Sequence, residues 1–294
     1  MALISFKEML GRAKRGNYAV GYFEAWDQVS MEAILAAAEE SRSPVIVGFG
    51  VSAVNQDWFN EGGLEYLAAI GRTAVGKSRI PLCFILNEIS TMGQMRKGSK
   101  QGFNVVMMNS SGLSFRENLQ ITRKVVKIAR PLGIGVEAEL GTLPFGNKKD
   151  SDFVLTDPGE AEIFVNEPGI DALAVSIGNV HVAGSNRIEI DLIRLERIHY
   201  LVDVPLVIHG GTGFPAGKIQ DAIDLGVVKF NVGTILKRIY FEELRKKMFD
   251  LPERVNIQKI IGSRKKEDIF SHAKEKIKKI VKNYLVRYGS VDKA

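Results

Sequence analysis

Three observations in the sequence predict a closed (β/α)8 barrel. Eight short runs rich in β-branched residues recur along the 294 residues, each followed by a stretch with helical periodicity. The runs are continuously apolar instead of alternating, as strands buried on both faces of a parallel sheet must be. They begin 23 to 37 residues apart, which is βα-unit spacing, and no Pro/Gly/Ser-rich linker or shift in composition divides them. Eight consecutive βα units favour closure over an open sheet. Residues 1–294 are therefore read as one barrel domain.

In chain order the expected strands are 18–23 (YAVGYF), 44–50 (PVIVGFG), 81–87 (PLCFILN) and 104–109 (NVVMMN), then 135–140 (GVEAEL), 172–177 (ALAVSI), 205–210 (PLVIHG) and 229–234 (KFNVGT). After the first strand Met31, Ile34, Leu35 and Ala38 share one helical face. Leu119, Val125, Val126, Ile128 and Ala129 do so after the fourth, and Ile193, Leu195, Ile198 and Leu201 after the sixth. Further helices near 256–261 and 265–288 are expected to close the C-terminal side.

Composition narrows the function classes. With 45% hydrophobic and 25% charged residues the chain reads as a soluble globular protein. No apolar run approaches the roughly 18 residues of a membrane span, and the start MALISFKEML lacks the apolar stretch and cleavage site of a signal peptide. A cytoplasmic protein is expected, with no membrane partner. The single cysteine, Cys83, excludes internal disulfides and multi-cysteine metal sites. The net charge of +6 is densest at residues 264–266 (RKK), Lys274, Lys276, Lys278, Lys279 and Lys282. Apolar Ile269, Ala273, Ile277, Ile280 and Tyr284 run through that stretch at helical spacing, which reads as a solvated helix face and not a nucleic-acid surface.

Barrels place function where strands end and βα loops begin. Polar residues there are Glu24, Asn87, Glu88, Asn109, Glu139, His181, His209 and Asn231. His181 and His209 close neighbouring strands; such a pair either binds a divalent ion or satisfies loop backbone groups, and spacing leaves both open. His209-Gly210-Gly211-Thr212-Gly213 and Asn231-Val232-Gly233-Thr234 each run into a helix. Glycines that bare N–H groups beside a helix N-terminus suit phosphate, although glycines also simply make tight turns. A Schiff-base route needs a lysine at a strand's C-terminal end. Lys229 is expected at the opposite mouth, where strand eight begins, and Lys148 and Lys149 fall in a loop. Trp26 and Trp58, in the loops after strands one and two, either close over a substrate or pack on a neighbouring subunit. Met107, Met108 and the phenylalanines of strands one to three read as barrel filling.

The ordered set AVGYF, VEAELG, DALAVSIG with a following His, VIHGGTG and KFNVGT resembles the class II, metal-dependent ketose-bisphosphate aldolases of the fructose- and tagatose-bisphosphate type. The resemblance runs from about Leu3 to Tyr288. It implies a zinc ion held by three histidines, a carboxylate beside the first of them as general acid/base, a phosphorylated ketose substrate and a homo-oligomer. Carried over residue by residue, it makes His181 and His209 metal ligands, places Glu139 close to the metal, and assigns phosphate or substrate binding to Gly178, Gly210, Gly211, Thr212, Asn231, Gly233 and Thr234.

The match breaks at the third strand. Where the family has His-x-Asp-His, this chain reads Ile85-Leu86-Asn87-Glu88. An amide at the general-base position cannot take a proton at neutral pH, and Glu88 stands where a histidine would bind metal. Strand two ends in Gly50 where serine is usual, and strand four in Asn109-Ser110-Ser111-Gly112. Val182 replaces a glycine, and residues 142–149 replace a loop usually carrying Gly-Gly and glutamates. Glu24 stands where asparagine is common. The expected reading is a divalent-metal-dependent aldehyde-lyase on a phosphorylated sugar-like substrate other than fructose 1,6-bisphosphate. Its metal, zinc or another divalent ion, would sit on Glu88, His181 and His209 beside Glu139, with Asn87 in the reaction centre and proton transfer by Glu24 or Glu88. The alternatives are a non-catalytic phosphometabolite-binding paralogue or subunit of an active aldolase, and an ordinary ketose-bisphosphate aldolase.

Overall fold

The computed structural model describes residues 3–143, 154–180 and 188–294. His181, Val182 and the segment 144–149 with Lys148 and Lys149 lie outside the described residues. Eight parallel strands close in sequence order into one barrel: β1 Val20–Ala25, β2 Val45–Gly50, β3 Leu82–Ile89, β4 Val105–Met108, β5 Gly135–Leu140, β6 Ala172–Val175, β7 Leu206–Ile208 and β8 Val227–Val232. Pairing of β1 with β8, in which Val20 faces Lys229, makes the closure. Strand positions differ from expectation by a few residues at the ends. The largest shift in meaning is at β8, which begins at Val227, so Lys229 lies inside the strand.

Several βα loops supply a side-chain cap for the helix that follows them. Asp27 accepts from Ser30 N at 2.7 Å to start the helix Gln28–Glu40, and Ser114 forms a capping box with Glu117 at the start of Phe115–Ala129. The helix Phe6–Arg15 plugs the N-terminal mouth with Phe6, Met9, Leu10 and Ala13, all buried. Above that plug, Ile46, Cys83, Ile85, Val105, Ala174 and Val207 fill the lower lumen. A larger apolar shell joins the outer strand faces to the helices. Toward the C-terminal mouth the lumen turns polar, with Glu137, Glu139, Lys229 and His209 all buried. The helices near the end of the chain fall at Ile257–Ile260 and Ile269–Arg287. The second of these braces the mouth from outside: Tyr284 Oη donates to Thr212 O at 3.1 Å, and Tyr288 stacks on Phe230. Among the described residues no helix is long and apolar enough to cross a membrane.

Candidate active site

Because strand side chains alternate between lumen and shell, positions two apart share a face. Tyr22 and Glu24 on β1, Glu137 and Glu139 on β5, and Lys229 and Asn231 on β8 are such pairs. Their long polar side chains rise toward the C-terminal mouth and meet His209, which follows β7. His209 Nε2 lies 2.9 Å from Glu137 Oε1 and its Nδ1 3.0 Å from Glu139 Oε1. Burial opposes the imidazolium, but Glu139 and Glu137 overcome it and hold its pKa at about 10. Lys229 Nζ donates to Glu137 Oε2 at 2.9 Å and to Asn231 Oδ1, and sits 5.0 Å over the Tyr22 ring. Burial would raise the Glu137 carboxyl; Lys229 and His209 outweigh it and bring the pKa below the usual value.

The loops around this cluster are fixed by backbone geometry. Gly210 has φ +71°, and a Cβ there would stand 1.9 Å from Val180 O; at Gly178, φ is +96° and a Cβ would stand 2.1 Å from Glu189 O. Only glycine fits either turn. Between them Asn179 accepts from Ile177 N at 2.8 Å and donates to His209 O at 2.9 Å, so the two loops set the histidine's position. Gly211 N–H donates to Asn231 O at 2.8 Å, which ties the β7 loop to β8 and commits that donor within the protein. The helix Thr234–Phe249 starts at Gly233 without a side-chain cap, and Thr212 Oγ1 accepts weakly from Ile235 N at 3.4 Å. A first turn whose N-cap is a glycine, on a 16-residue helix, has a dipole end suited to an anion.

The β1–β3 side is built differently. Glu88 has φ +58° and lies at a register irregularity between β3 and β4. A non-glycine residue in the left-handed region on a bulge re-aims its side chain, a feature that clusters at functional sites. Its carboxylate accepts from Ser52 Oγ and, at 3.2 Å, from Asn87 Nδ2. Glu24 pairs with Lys237 Nζ at 2.5 Å. Burial raises its carboxyl above the ordinary range, against the pull of Lys237.

Glu24, Asn87, Glu88, His209, Gly210, Thr212, Asn231, Gly233 and Thr234, all expected from sequence, line one small cavity of about 60 Å³ together with Tyr22. Glu139 touches it through His209; Gly178 and Gly211 stand behind as supports. Inside the cavity, the buried Asn87 Oδ1 and Tyr22 Oη have no hydrogen-bond partner among the described residues. Buried polar atoms left unpaired cost free energy, and at a cavity wall they mark where a ligand's polar groups belong. Glu137 and Tyr22 escape a search confined to the last positions of each strand, and Lys229, expected at the opposite mouth, reaches the site from within β8. The i, i+2 rule would have found all three.

The fit of a divalent ion can be tested here. Metal-bound histidines typically direct one ring nitrogen to a carboxylate and the other to the metal. In His209 both ring nitrogens face carboxylates, Glu137 at Nε2 and Glu139 at Nδ1, so an ion at Nδ1 would replace the proton there and take the Glu139 oxygen as a neighbouring donor. Among the described residues no three His, Cys, Asp or Glu side chains converge as a metal group, so His209 and Glu139 supply two donors and further ones must come from elsewhere. The donor types fit; Glu88 stands apart from them, held by Ser52 and Asn87.

A closed barrel whose C-terminal mouth carries strand-end carboxylates, a buried histidine–carboxylate cluster and glycine-rich loops has the layout of an aldolase-type lyase. The match is to the family described as fructose-bisphosphate aldolase class-II, over residues 4–293, and the chain belongs to that family. It is 34% identical to a fructose-bisphosphate aldolase of Geobacillus stearothermophilus, covering 100% of this chain and 99% of that one. It is 33% identical to a sulfofructosephosphate aldolase of Alkalicoccus urumqiensis, over 95% and 96% of the two chains. The crystal structure of the YdjI aldolase from Escherichia coli K12 superposes with a TM-score of 0.82 at 27% identity, covering 99% of both chains.

Proposed function

We propose that this protein is a divalent-metal-dependent aldolase that cleaves or forms a carbon–carbon bond in a phosphorylated sugar-like ketose other than fructose 1,6-bisphosphate. The observation that carries this reading is the shared cavity: phosphate-type loops, His209 and two carboxylates face one space whose buried Asn87 and Tyr22 oxygens await partners. His181, His209 and Glu139 would hold the ion, with Glu88 the remaining donor across the cavity. When bound, a divalent ion supplies a Lewis acid that polarises the ketone carbonyl.

The chain's own residues account for the rest. Gly210, Thr212, Gly233 and Thr234 hold the phosphate at the helix N-terminus, fixing the ketone fragment beside His209. Tyr22 Oη donates to a substrate oxygen, and Asn87 Oδ1 accepts from a substrate hydroxyl. In the cleavage direction Glu24 takes the proton from the hydroxyl β to the carbonyl. The carbon–carbon bond breaks, that carbon leaves as an aldehyde, and the electron pair passes to the phosphoketone, which is protonated at the carbon that lost its neighbour. The raised pKa of Glu24 suits a group that gains and returns a proton. Asn87, an amide, has no part in proton transfer, which is why the usual bisphosphate is set aside as substrate. Phe241 and Phe249, 63% and 90% exposed on the helix Thr234–Phe249, support self-association into a homo-oligomer.

The test is elemental analysis of protein purified without a metal-affinity tag, beside a His181→Ala/His209→Ala double variant. About one zinc, manganese or iron per chain is expected, absent from the double variant, and Glu88→Ala should lower both occupancy and cleavage. Unchanged occupancy in Glu88→Ala would leave that residue to proton transfer alone. Protein that takes up no metal from excess ion yet still binds phosphoketone would be a binding subunit instead of an enzyme.

A further inference from the structure

A second cavity, of about 510 Å³, opens beside the first and shares Glu24 with it. Its walls are Trp26, Phe49, Val54, Trp58, Leu67 and Tyr240, with small Ala25, Gly50 and Ala53 between them. Trp26 and Tyr240 meet edge to face at 5.4 Å, and Trp58 forms the rim, 45% exposed. The Trp58 ring lies against Gly63, where a Cβ would come within 2.5 Å of it, so that backbone fixes the rim residue in place. The charged side chains of the lining, among the described residues, are Glu24 and Lys237, and these pair with each other at 2.5 Å.

The pairing decides what the cavity takes. Lys237 is already paired with Glu24, so the described lining offers no uncommitted cation for a second phosphate. Glu24 itself stands in a notch made for it: a Cβ at Gly50 would lie 2.9 Å from its Oε1, and one at Gly233 only 2.3 Å from its Oε2. A side chain at position 50 would have to push the Glu24 carboxylate aside. What remains is an apolar, aromatic-walled space, and such walls with few polar groups recognise flat apolar rings. An engineered apolar cavity of about 150 Å³ already holds benzene, so this one has room for a substituted ring.

We infer that this cavity receives the aldehyde half of the substrate, and that this half carries a flat apolar or aromatic group in place of a phosphate. The inference rests on the aldolase reading for the word aldehyde, but the cavity's ligand class is independent of it. The phosphate loops hold the ketone fragment, Glu24 stands at the junction where the bond breaks, and the ring lies between Trp26, Trp58 and Tyr240.

The chain's two tryptophans both line the cavity, so their fluorescence reports on it directly, with or without metal. The metal-free protein is titrated with 2-phenylethanol, glycerol and glyceraldehyde 3-phosphate in turn. Saturable quenching by 2-phenylethanol alone is expected. Trp26→Ala, read through Trp58, should weaken it at least tenfold, and Trp26→Phe should restore most of it with unchanged thermal stability. In the metal-loaded protein, condensation of dihydroxyacetone phosphate with phenylacetaldehyde should outpace condensation with glyceraldehyde 3-phosphate. Binding of 2-phenylethanol without any condensation would sustain the cavity's ligand class and overturn the aldolase reading. Quenching by glyceraldehyde 3-phosphate alone, abolished in Lys237→Met, would overturn the apolar subsite and leave the aldolase reading standing. A signal that follows protein concentration and ignores 2-phenylethanol would make the cavity an interface between copies, and would also overturn the inference.

Discussion

On the β7–β8 side of the mouth, backbone does the positioning. Gly178 and Gly210 sit in turns that admit no side chain, Gly211 ties one loop to the next strand, and His209 is clamped by buried carboxylates. On the β1–β3 side, side chains do it. Glu24 rests between two glycines and leans on a half-exposed lysine, and Glu88 is turned by a bulge and held by Ser52 and Asn87. The first arrangement tolerates almost no substitution without losing its geometry, whereas the second can exchange residues in matched pairs. The residues expected from the resemblance to depart from the family pattern at strands one to three, Glu24, Gly50, Asn87 and Glu88, all lie on this second side.

The sharpest way to break this comparison is to remove one lysine from each side. Lys229→Met takes one of the two cations, Lys229 and His209, from the buried Glu137, and breaking a buried pair costs roughly 3–5 kcal/mol. Lys237→Met removes a partner whose side chain is 41% exposed, and solvent-screened pairs are worth about 1 kcal/mol or less. Urea midpoints should therefore fall sharply for the first and barely for the second; equal losses would erase the distinction. Next in size is Gly210→Ala. A left-handed non-glycine residue costs about 1–3 kcal/mol, and the collision with Val180 O adds to it. Chemical denaturation together with weakened binding of inorganic phosphate would register both effects.

A smaller effect sharpens the comparison further. Gly50→Ser and Glu24→Asn install the residues usual in the family, singly and together. Alone, Gly50→Ser must displace the Glu24 carboxylate and is expected to destabilise. In the double variant the conflict disappears, so the cycle should show a coupling of about 1 kcal/mol, within the range typical of residues in contact. Additive losses would mean that Gly50 and Glu24 changed independently.

The barrel was legible because its strands are buried on both faces, and continuous apolar runs such as PVIVGFG and PLCFILN have few other uses. His209 and the glycine loops were legible for a related reason: their chemistry is written in consecutive residues. The polar lumen was not. Read as the first residue of its strand, Lys229 belongs to the N-terminal mouth; it is the third residue of β8, and its side chain climbs to Glu137 and Asn231. Glu137 lies one alternation below Glu139, and nothing local in the sequence marks its partners. The Glu24–Lys237 pair joins residues 213 positions apart, and neither local pattern signals the other. The aromatic cavity is half visible: the sequence leaves Trp26 and Trp58 either over a substrate or against a neighbouring subunit, and Tyr240, on a helix much later in the chain, carries no local signal of it.

The brace from Tyr284 to Thr212 spans 72 residues, and it orders events during synthesis. A ribosome adds residues one after another at about 5–20 per second, so all eight strands have been made well before Tyr284 exists. The ladder can close while the outer support of the β7 loop is still being translated. Until the helix Ile269–Arg287 docks, Thr212 lacks its brace, so the corner between β7 and the helix Thr234–Phe249 is the last part of the mouth to be held in place.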